Sequence, residues 1–418
     1  MVTALNIIYC FFMIAFGITG YIFLVKKTKD KLNPFALVCI SWCILGGIAS
    51  LHLSWLETDW TLNMYLIVLI FPILVFLCGI IGKNENLTYN GGSYLETGRL
   101  YIILTRMIGI VCIACAFIEW WSNGFILTLF IKGVCDIKSE FKALPVIHYG
   151  SIYFPYCAII AIYELLYRKD KSIITILYNI LIIILNVAYA LVISVSRGSL
   201  IIIFCAAAYM IMRRYNIKFW QIILMIFATL VGFMYISKLR INEGSLVYDV
   251  IKGHPIISSV YGYTALSFEN LNKLTQKGPA YTIFSSTYHG FIELLGLRRF
   301  FPQTEYLTTY FFNTTTICYE FYEDLGIIGV VIDTLIIFGT IRYLYEKSKK
   351  EIGYVLMIAV MQKAIWMTFF GNYFTIYRVM IFPYIITLIV ILSLKVDFSF
   401  KDGFKVLKKK EEYCEKKL

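Results

Sequence analysis

The sequence predicts an all-α integral membrane protein, a polytopic helical bundle of about eleven transmembrane helices with one large outer loop. Three observations carry that expectation. Hydrophobic residues make up 60% and charged residues 15% of the 418 positions, and the mean hydropathy is +0.75. A soluble core of this size cannot hide that much apolar surface. Apolar blocks of roughly 20 residues recur along the chain, the length that crosses a hydrocarbon layer of ~30 Å as a helix. Finally, Lys and Arg are dense in every second connection and sparse in the others, as in a chain threaded repeatedly through a bilayer.

The predicted spans are 4–25, 32–51, 63–81, 100–118, 146–166, 172–195, 199–212, 219–236, 325–345, 352–370 and 378–394. They divide the chain into an N-terminal transmembrane bundle (1–236), a large outer loop expected to be partly helical (237–323), C-terminal transmembrane helices (324–394) and a basic tail (395–418). The first apolar run continues to Val25, so it reads as a spanning helix and not as a cleavable leader. The basic connections hold Lys26, Lys27, Lys29 and Lys31; Lys83 and Arg99; Arg168, Lys169 and Lys171; Arg213, Arg214 and Lys218; and Arg342, Lys347, Lys349 and Lys350. Together with the tail they mark the cytoplasmic side, which puts the N-terminus outside and the C-terminus inside. The net charge of +12 is thus chiefly a topology signal, and no nucleic-acid partner is expected. The tail suits either anionic lipid or plain solvation.

Two segments expected on the outer side are not simple spans. Residues 119–145 read as an interfacial or re-entrant piece with a Trp anchor. Residues 237–323 are too long for a structureless connection and are expected to fold over the membrane core. Within them, "SSVYGYTALSFENLNKL" has the pattern of an amphipathic helix, and basic and acidic side chains are nearly balanced.

Arg197, in "LVISVSRGSLIII", is the first candidate for chemistry. It stands sixteen residues before Arg213, or roughly 24 Å of helix, short of the full core. Arg197 is therefore expected slightly below the outer surface, where its donors suit a phosphate or pyrophosphate group. A snorkelling anchor is the plainer alternative. Asp333 and Lys363 each fall ~12–13 Å below the outer ends of neighbouring helices by helical rise, which predicts a structural ion pair. Arg106 is expected to be structural. Of the four histidines, all placed outside, His254 in "KGHP" is the best acid–base candidate.

The stretch "FFNTTTICYEFYEDLGIIGVVI" brings Glu320, Glu323 and Asp324 to the mouth of the ninth span. These carboxylates suit a general base, ligands for sugar hydroxyls, or partners of the helix dipole. Gly326 and Gly329 permit close helix packing. The 11 cysteines lie mostly in apolar runs. Cys112 and Cys115 are expected to pack rather than ligate, and only Cys135 and Cys318 lie where a disulfide is conceivable. With no HExxH, Walker loop, GxSxG or paired CxxC, no metal site and no cofactor are expected.

The Ser196-Arg197-Gly198 hairpin, the large outer loop and the run Asn313, Thr316, Tyr322-Glu323-Asp324-Leu325-Gly326 and Gly329 resemble the O-antigen and capsule repeat-unit polymerases of the Wzy type. The loop segments "SFENLN" and "GPAYTIF" add to the resemblance, which spans residues 190–340 and the overall topology. It departs at Leu325, where the family usually has Phe. The resemblance implies a fold similar to membrane glycosyltransferases of the GT-C type. It also implies an enzyme of the bacterial cytoplasmic membrane, working on the outer face. That enzyme transfers a growing glycan from undecaprenyl pyrophosphate to the next lipid-linked repeat, without nucleotide or metal.

In that scheme Arg197, with Arg240 or Arg378, holds the pyrophosphate. Glu323, Asp324 or His254 deprotonates the acceptor, and Asn313, Thr316 and Tyr322 contact the glycan. The implied partners are the lipid-linked oligosaccharide, membrane lipid, a chain-length regulator and a flippase. The rivals are an O-antigen ligase, a lipid-linked oligosaccharide flippase and, more distantly, a shape-determining peptidoglycan polymerase. The ligase His-to-Gly spacing is not met, since Ala265 and Phe300 stand where the glycines would follow His254 and His289. A flippase predicts internal repeats and short loops, and neither is evident.

Overall fold

The computed structural model describes residues 3–81, 95, 97–127, 142–169, 171–194, 196–215, 250–251, 255–302, 307–309, 312, 314–375, 378–394, 396–399 and 403–406. The first half forms α1 (Ala4–Thr28), α2 (Pro34–Ala49), α3 (Leu62–Ile80), α4 (Arg99–Ser122), α5 (Ile147–Tyr167), α6 (Ile173–Ala188) and α7 (Arg197–Arg214). A five-residue π-helical segment, Tyr189–Ile193, extends α6. The second half forms α8 (Pro255–Lys277), α9 (His289–Leu294), α10 (Cys318–Leu325), α11 (Ile327–Lys350), α12 (Gly353–Trp366) and α13 (Arg378–Ser393). The tail adds a two-stranded antiparallel ribbon, β1 (Val396–Ser399) with β2 (Gly403–Val406).

Among the described residues, α1, α3, α4, α5, α6 with its extension, and α11 are long and apolar enough to cross a membrane. Three shorter apolar helices are α2, α12 and the Ile381–Ser393 part of α13. Helices occupy ten of the eleven predicted segments, and the other, 219–236, lies outside the described residues.

Local sequence explains where the helices start. Thr3, Thr61, Ser172 and Ser196 each accept a hydrogen bond from a first-turn amide of α1, α3, α6 and α7. Asn33 does the same for α2, with Pro34 in the position where its missing N–H costs nothing. The helices then pack as neighbours, α1 antiparallel on α2 and α4 on α5, with α12 against α7. By contrast, α3 and α11 lie side by side in the same direction, Asn63 meeting Tyr322 at one end and Gly79 meeting Arg342 at the other.

The basic connections gather at one end of this bundle. Asp30, after α1, accepts from Arg213 of α7 at 3.0 Å and from Tyr345 of α11 at 2.6 Å. Arg342 donates to the Gly79 carbonyl and Tyr163 to that of Ile352. At the other end, α8 lies over the connection 50–61 as the amphipathic pattern requires. Its Asn272 and Gln276 donate to Thr58 and Asp59, Thr58 donates to Glu269, and Tyr261 donates to Glu57.

Several expectations need correction. Asp333 and Lys363 form no ion pair: Asp333 accepts from Thr287 and faces Tyr288, while Lys363 lies 4.2 Å from the centre of the Tyr373 ring. Equal helical rise on neighbouring helices does not turn two side chains toward each other. Cys318 and Cys112 are buried with free thiols and Cys115 is half-buried with a free thiol; Cys135 lies outside the described residues. The close approach at Gly329 is made within the α10–α11 elbow: a Cβ there would fall 2.1 Å from the Phe321 carbonyl oxygen. Gly326, at φ +65°, supplies the bend. Of the segment 119–145, α4 takes the start as far as Ser122, and residues 128–141 lie outside the described residues.

Candidate functional site

At the end opposite the basic connections, a cavity of about 350 Å³ opens between α4, α5, α6 and α7. Each wall has a local cause. Asn123 caps α4 by donating to the Glu119 carbonyl at 2.7 Å, and Gly124 reverses the chain at φ +72°. This leaves Glu119 on the last turn of α4, facing the first turn of α5, where His148 stands. The third wall is the end of α6, which widens into the π segment, a geometry that recurs at functional positions. Ser194 and Ser196 close that segment by donating their amides to Tyr189 and Ala190, each at 2.9 Å. Ser196 then caps α7, accepting from the amide and hydroxyl of Ser199.

The central contact is between Glu119 and His148, with the carboxylate 2.7 Å from Nδ1. Glu119 is only 1% exposed, whereas the His148 side chain is 42% exposed toward the cavity. In the tautomer whose Nδ1–H donates to the carboxylate, Nε2 carries the lone pair on the open side. A buried carboxylate that orients an imidazole in this way makes it a general base and stabilises the imidazolium formed on proton capture. Tyr189 faces Glu119 and Ser151 from α6.

Across the cavity stands the start of α7, where free amides and the helix dipole favour negative charge. The Lys363 ammonium lies beside this turn, 3.6 Å from where a Cβ on Gly198 would be. Ser196 Oγ lies 3.8 Å from the same point. Hydroxyls, an imidazole and the start of a helix therefore meet around one space, with Lys363 beside that helix start. Such a site can bind a polyol and an anion together and take a proton from the former.

The expected site residues distribute differently. Arg197 is the first residue of α7, and its backbone belongs to the turn just described; its side chain, like that of Arg378, lies outside what is described. His254, Arg240 and Asn313 also lie outside the described residues. Glu323, Asp324 and Asp333 come together beneath residues 282–288. Asp324, fully buried, accepts from the Thr282 hydroxyl and from the amides of Ser286 (3.0 Å) and Thr287 (2.8 Å). Glu323 accepts from Ser286 Oγ at 2.6 Å, and its carbonyl accepts from the amides of Ala280 and Tyr281. Both carboxylates of the "YED" run thus organise the loop, and neither lines the cavity.

Tyr322 accepts from Asn63 at 3.3 Å, tying α10 to α3, and Thr316 is buried just before α10. Among the described residues no group of three or more His, Cys, Asp or Glu is arranged to hold a metal ion. Burial pushes the Glu57 carboxyl under α8 up to about 8 and also raises Glu269, while His52 and His289 are lowered, again chiefly by burial.

Sequence reasoning did not single out Glu119, and it ranked His148 no higher than the other histidines. No short motif joins them, because 28 residues separate the two. The available signal was topological: the facing ends of two consecutive antiparallel helices must meet, and each carried one of these groups. The same reading treated Arg106 as structural without finding its partner, the fully buried Glu164 of α5, at 2.7 Å. No protein-family model matches the chain, and neither a curated protein nor a solved structure matches it.

Proposed function

We propose that the chain is a membrane glycosyltransferase that polymerises polyprenyl-diphosphate-linked oligosaccharide repeats on the outer face of the bacterial cytoplasmic membrane. In this reading it crosses the bilayer eleven times, with the N-terminus outside and the basic end inside. The observation that carries the proposal is the Glu119–His148 pair facing, across one cavity, the Ser194–Ser199 turn that starts α7. The resemblance of residues 190–340 to repeat-unit polymerases adds to it.

The chemistry follows from the groups present. The acceptor sugar hydroxyl gives its proton to His148 Nε2, and Glu119 stabilises the imidazolium. The acceptor oxygen bonds to the anomeric carbon of the donor glycan as the bond from that carbon to the diphosphate oxygen breaks. The charge that develops on the departing diphosphate faces the positive end of α7, where Arg197 stands and Lys363 approaches. Glu323 and Asp324 hold the outer loop and take no part in proton transfer.

The test is a gel of surface glycan from cells lacking the gene beside the parent. Polymerisation predicts loss of the long-chain ladder with single repeats retained. Loss of all surface glycan with lipid-linked polymer building up would instead indicate a ligase. Single lipid-linked repeats trapped on the cytoplasmic face would indicate a flippase.

A further inference from the structure

The outer loop carries an apolar surface that contact with water does not explain. α9 and its cap expose Phe291, Leu294 and Leu295, spaced to fall on one face. Gly296, at φ +70°, ends the helix, and the Leu297 amide returns to the Ile292 carbonyl at 2.9 Å. One 3₁₀ turn follows, Arg298–Phe300, and leaves Leu297 and Phe300 outward as well. Leu295 is 69% and Phe300 65% exposed. Arg299 lies along this surface, its guanidinium 4.7 Å from the centre of the Phe300 ring.

The segment before α9 extends the surface at a cost in backbone strain. Tyr281 (φ +57°) and Ile283 (φ +50°) are left-handed, a conformation that a β-branched side chain rarely adopts. Burial is not the reason, since Tyr281 is 64% and Ile283 66% exposed. The shape is imposed from behind: the Tyr281 amide donates to the Glu323 carbonyl, and Thr282 and the Ser286 and Thr287 amides donate to Asp324. The fold thus strains its backbone and presents apolar groups outward.

The neighbours of α9 indicate what covers them. α9 packs on α13, and the Gly290 amide donates to the Thr375 carbonyl at 2.9 Å, just before that helix starts. Ile385, Leu388, Ile389 and Leu392 of α13 are exposed at the spacing of one helix face. In a chain that spans a bilayer, such a stripe faces acyl chains. α13 also packs on α4, whose last turn exposes Trp121, an aromatic suited to the membrane–water boundary. The apolar surface of α9 therefore continues from a lipid-facing helix at the end where that helix begins.

We infer that residues 281–300 form an interfacial anchor, in which α9 and the turn after it enter the outer leaflet. Leu295, Leu297 and Phe300 reach the upper acyl chains, while Arg298 and Arg299 stand among the phosphates of anionic headgroups. The loop is then fastened on both sides, by Asp324 within the protein and by lipid outside it. The inference rests on the membrane reading of the chain and is independent of the cavity and of the reaction proposed there.

The experiment places the full chain in nanodiscs that contain phosphatidylcholine or phosphatidylglycerol with a photoactivatable diazirine high on one acyl chain. Adducts are mapped by mass spectrometry, with the α13 stripe as the lipid-facing reference. Residues 281–300 are expected to be labelled along with that stripe. The double variant Leu295→Glu/Phe300→Glu alters only exposed side chains, so it should keep its melting temperature. It should lose the adducts at 281–300 and keep those on α13. Arg299→Gln should reduce the preference for the phosphatidylglycerol probe about fivefold, the factor corresponding to ~1 kcal/mol per cation.

Labelling of the α13 stripe without 281–300, or adducts at 281–300 that survive the double variant, overturns the anchor. So does a dimer in detergent that the double variant splits, with 281–300 unlabelled, because the surface then belongs to a second copy. Equal labelling by both probes, unchanged in Arg299→Gln, supports apolar insertion and overturns the headgroup contact. An unlabelled α13 stripe overturns the membrane reading and the anchor with it.

Discussion

Asp324→Asn separates a loop-organising carboxylate from a catalytic one. In the native arrangement the two oxygens serve different donors: Oδ1 takes the Ser286 amide and the Thr282 hydroxyl, and Oδ2 takes the Thr287 amide. An amide side chain offers one oxygen, so in either orientation one backbone N–H must face an NH2. Hydrogen bonds to a charged acceptor contribute about 1.5–3 kcal/mol each. Losing one, at ~2 kcal/mol, multiplies local opening roughly 30-fold. Asp324→Ala removes all three and should open the segment further. Hydrogen exchange of the peptide covering 282–288 reads this directly, with α5 as the internal reference. Glycan polymerisation measured on the same variant should fall only as far as the loop loosens. Unchanged protection of 282–288 together with abolished polymerisation would refute the assignment and return Asp324 to the catalytic candidates.

Removing the charge of Glu164 leaves Arg106 without its counter-ion between α4 and α5, a loss of about 3–5 kcal/mol. The double variant Arg106→Met/Glu164→Gln should recover part of it in an unfolding titration; full additivity of the two losses would show the groups uncoupled. The Glu57 carboxyl, raised to about 8 by burial, is neutral in the folded protein while its unfolded counterpart ionises. The stability it lends is therefore whole only below the ordinary carboxylate range, near 4.5, and declines as pH rises to about 8, where the loss is complete. Thermal stability should drop between about pH 4.5 and 8 and then level, and Glu57→Gln should flatten the drop; an identical slope in the variant would count against it. Gly329→Ala places a methyl 2.1 Å from the Phe321 carbonyl oxygen, so the elbow must shift at a cost of at least ~1–3 kcal/mol. A variant as stable as the parent would show that the elbow yields freely.

Helix positions and connection charge were legible in the sequence because both are one-dimensional: apolar run length and the placement of Lys and Arg. The amphipathic pattern within 237–323 gave α8, and Arg106 was rightly held to be structural. Pairing was not legible, as Asp333 and Lys363 show. Helical rise fixes how far a side chain lies along the bundle, while its partner depends on rotation about the helix axis and on which loops fold inward. The segment 282–288, which folds under α10 to meet Asp324 and Asp333, has no periodicity to announce it. The "YED" run was singled out for acidity and proved to be a hydrogen-bond hub for that segment, because a buried carboxylate organises a loop as readily as it moves a proton. Glu119 and His148 stayed hidden for the opposite reason: each is ordinary alone, and only the antiparallel pairing of α4 and α5 makes them one unit.

The central claim concerns that unit, and purified protein supplied with a polyprenyl-diphosphate-linked repeat tests it most directly. Polymerisation rate against pH is measured for the parent, His148→Ala and Glu119→Gln, with folding checked by melting temperature. The account predicts that His148→Ala loses ~10²–10⁴-fold in rate and that Glu119→Gln falls between it and the parent. A folded His148→Ala variant that polymerises at the parental rate with the parental pH profile would contradict it.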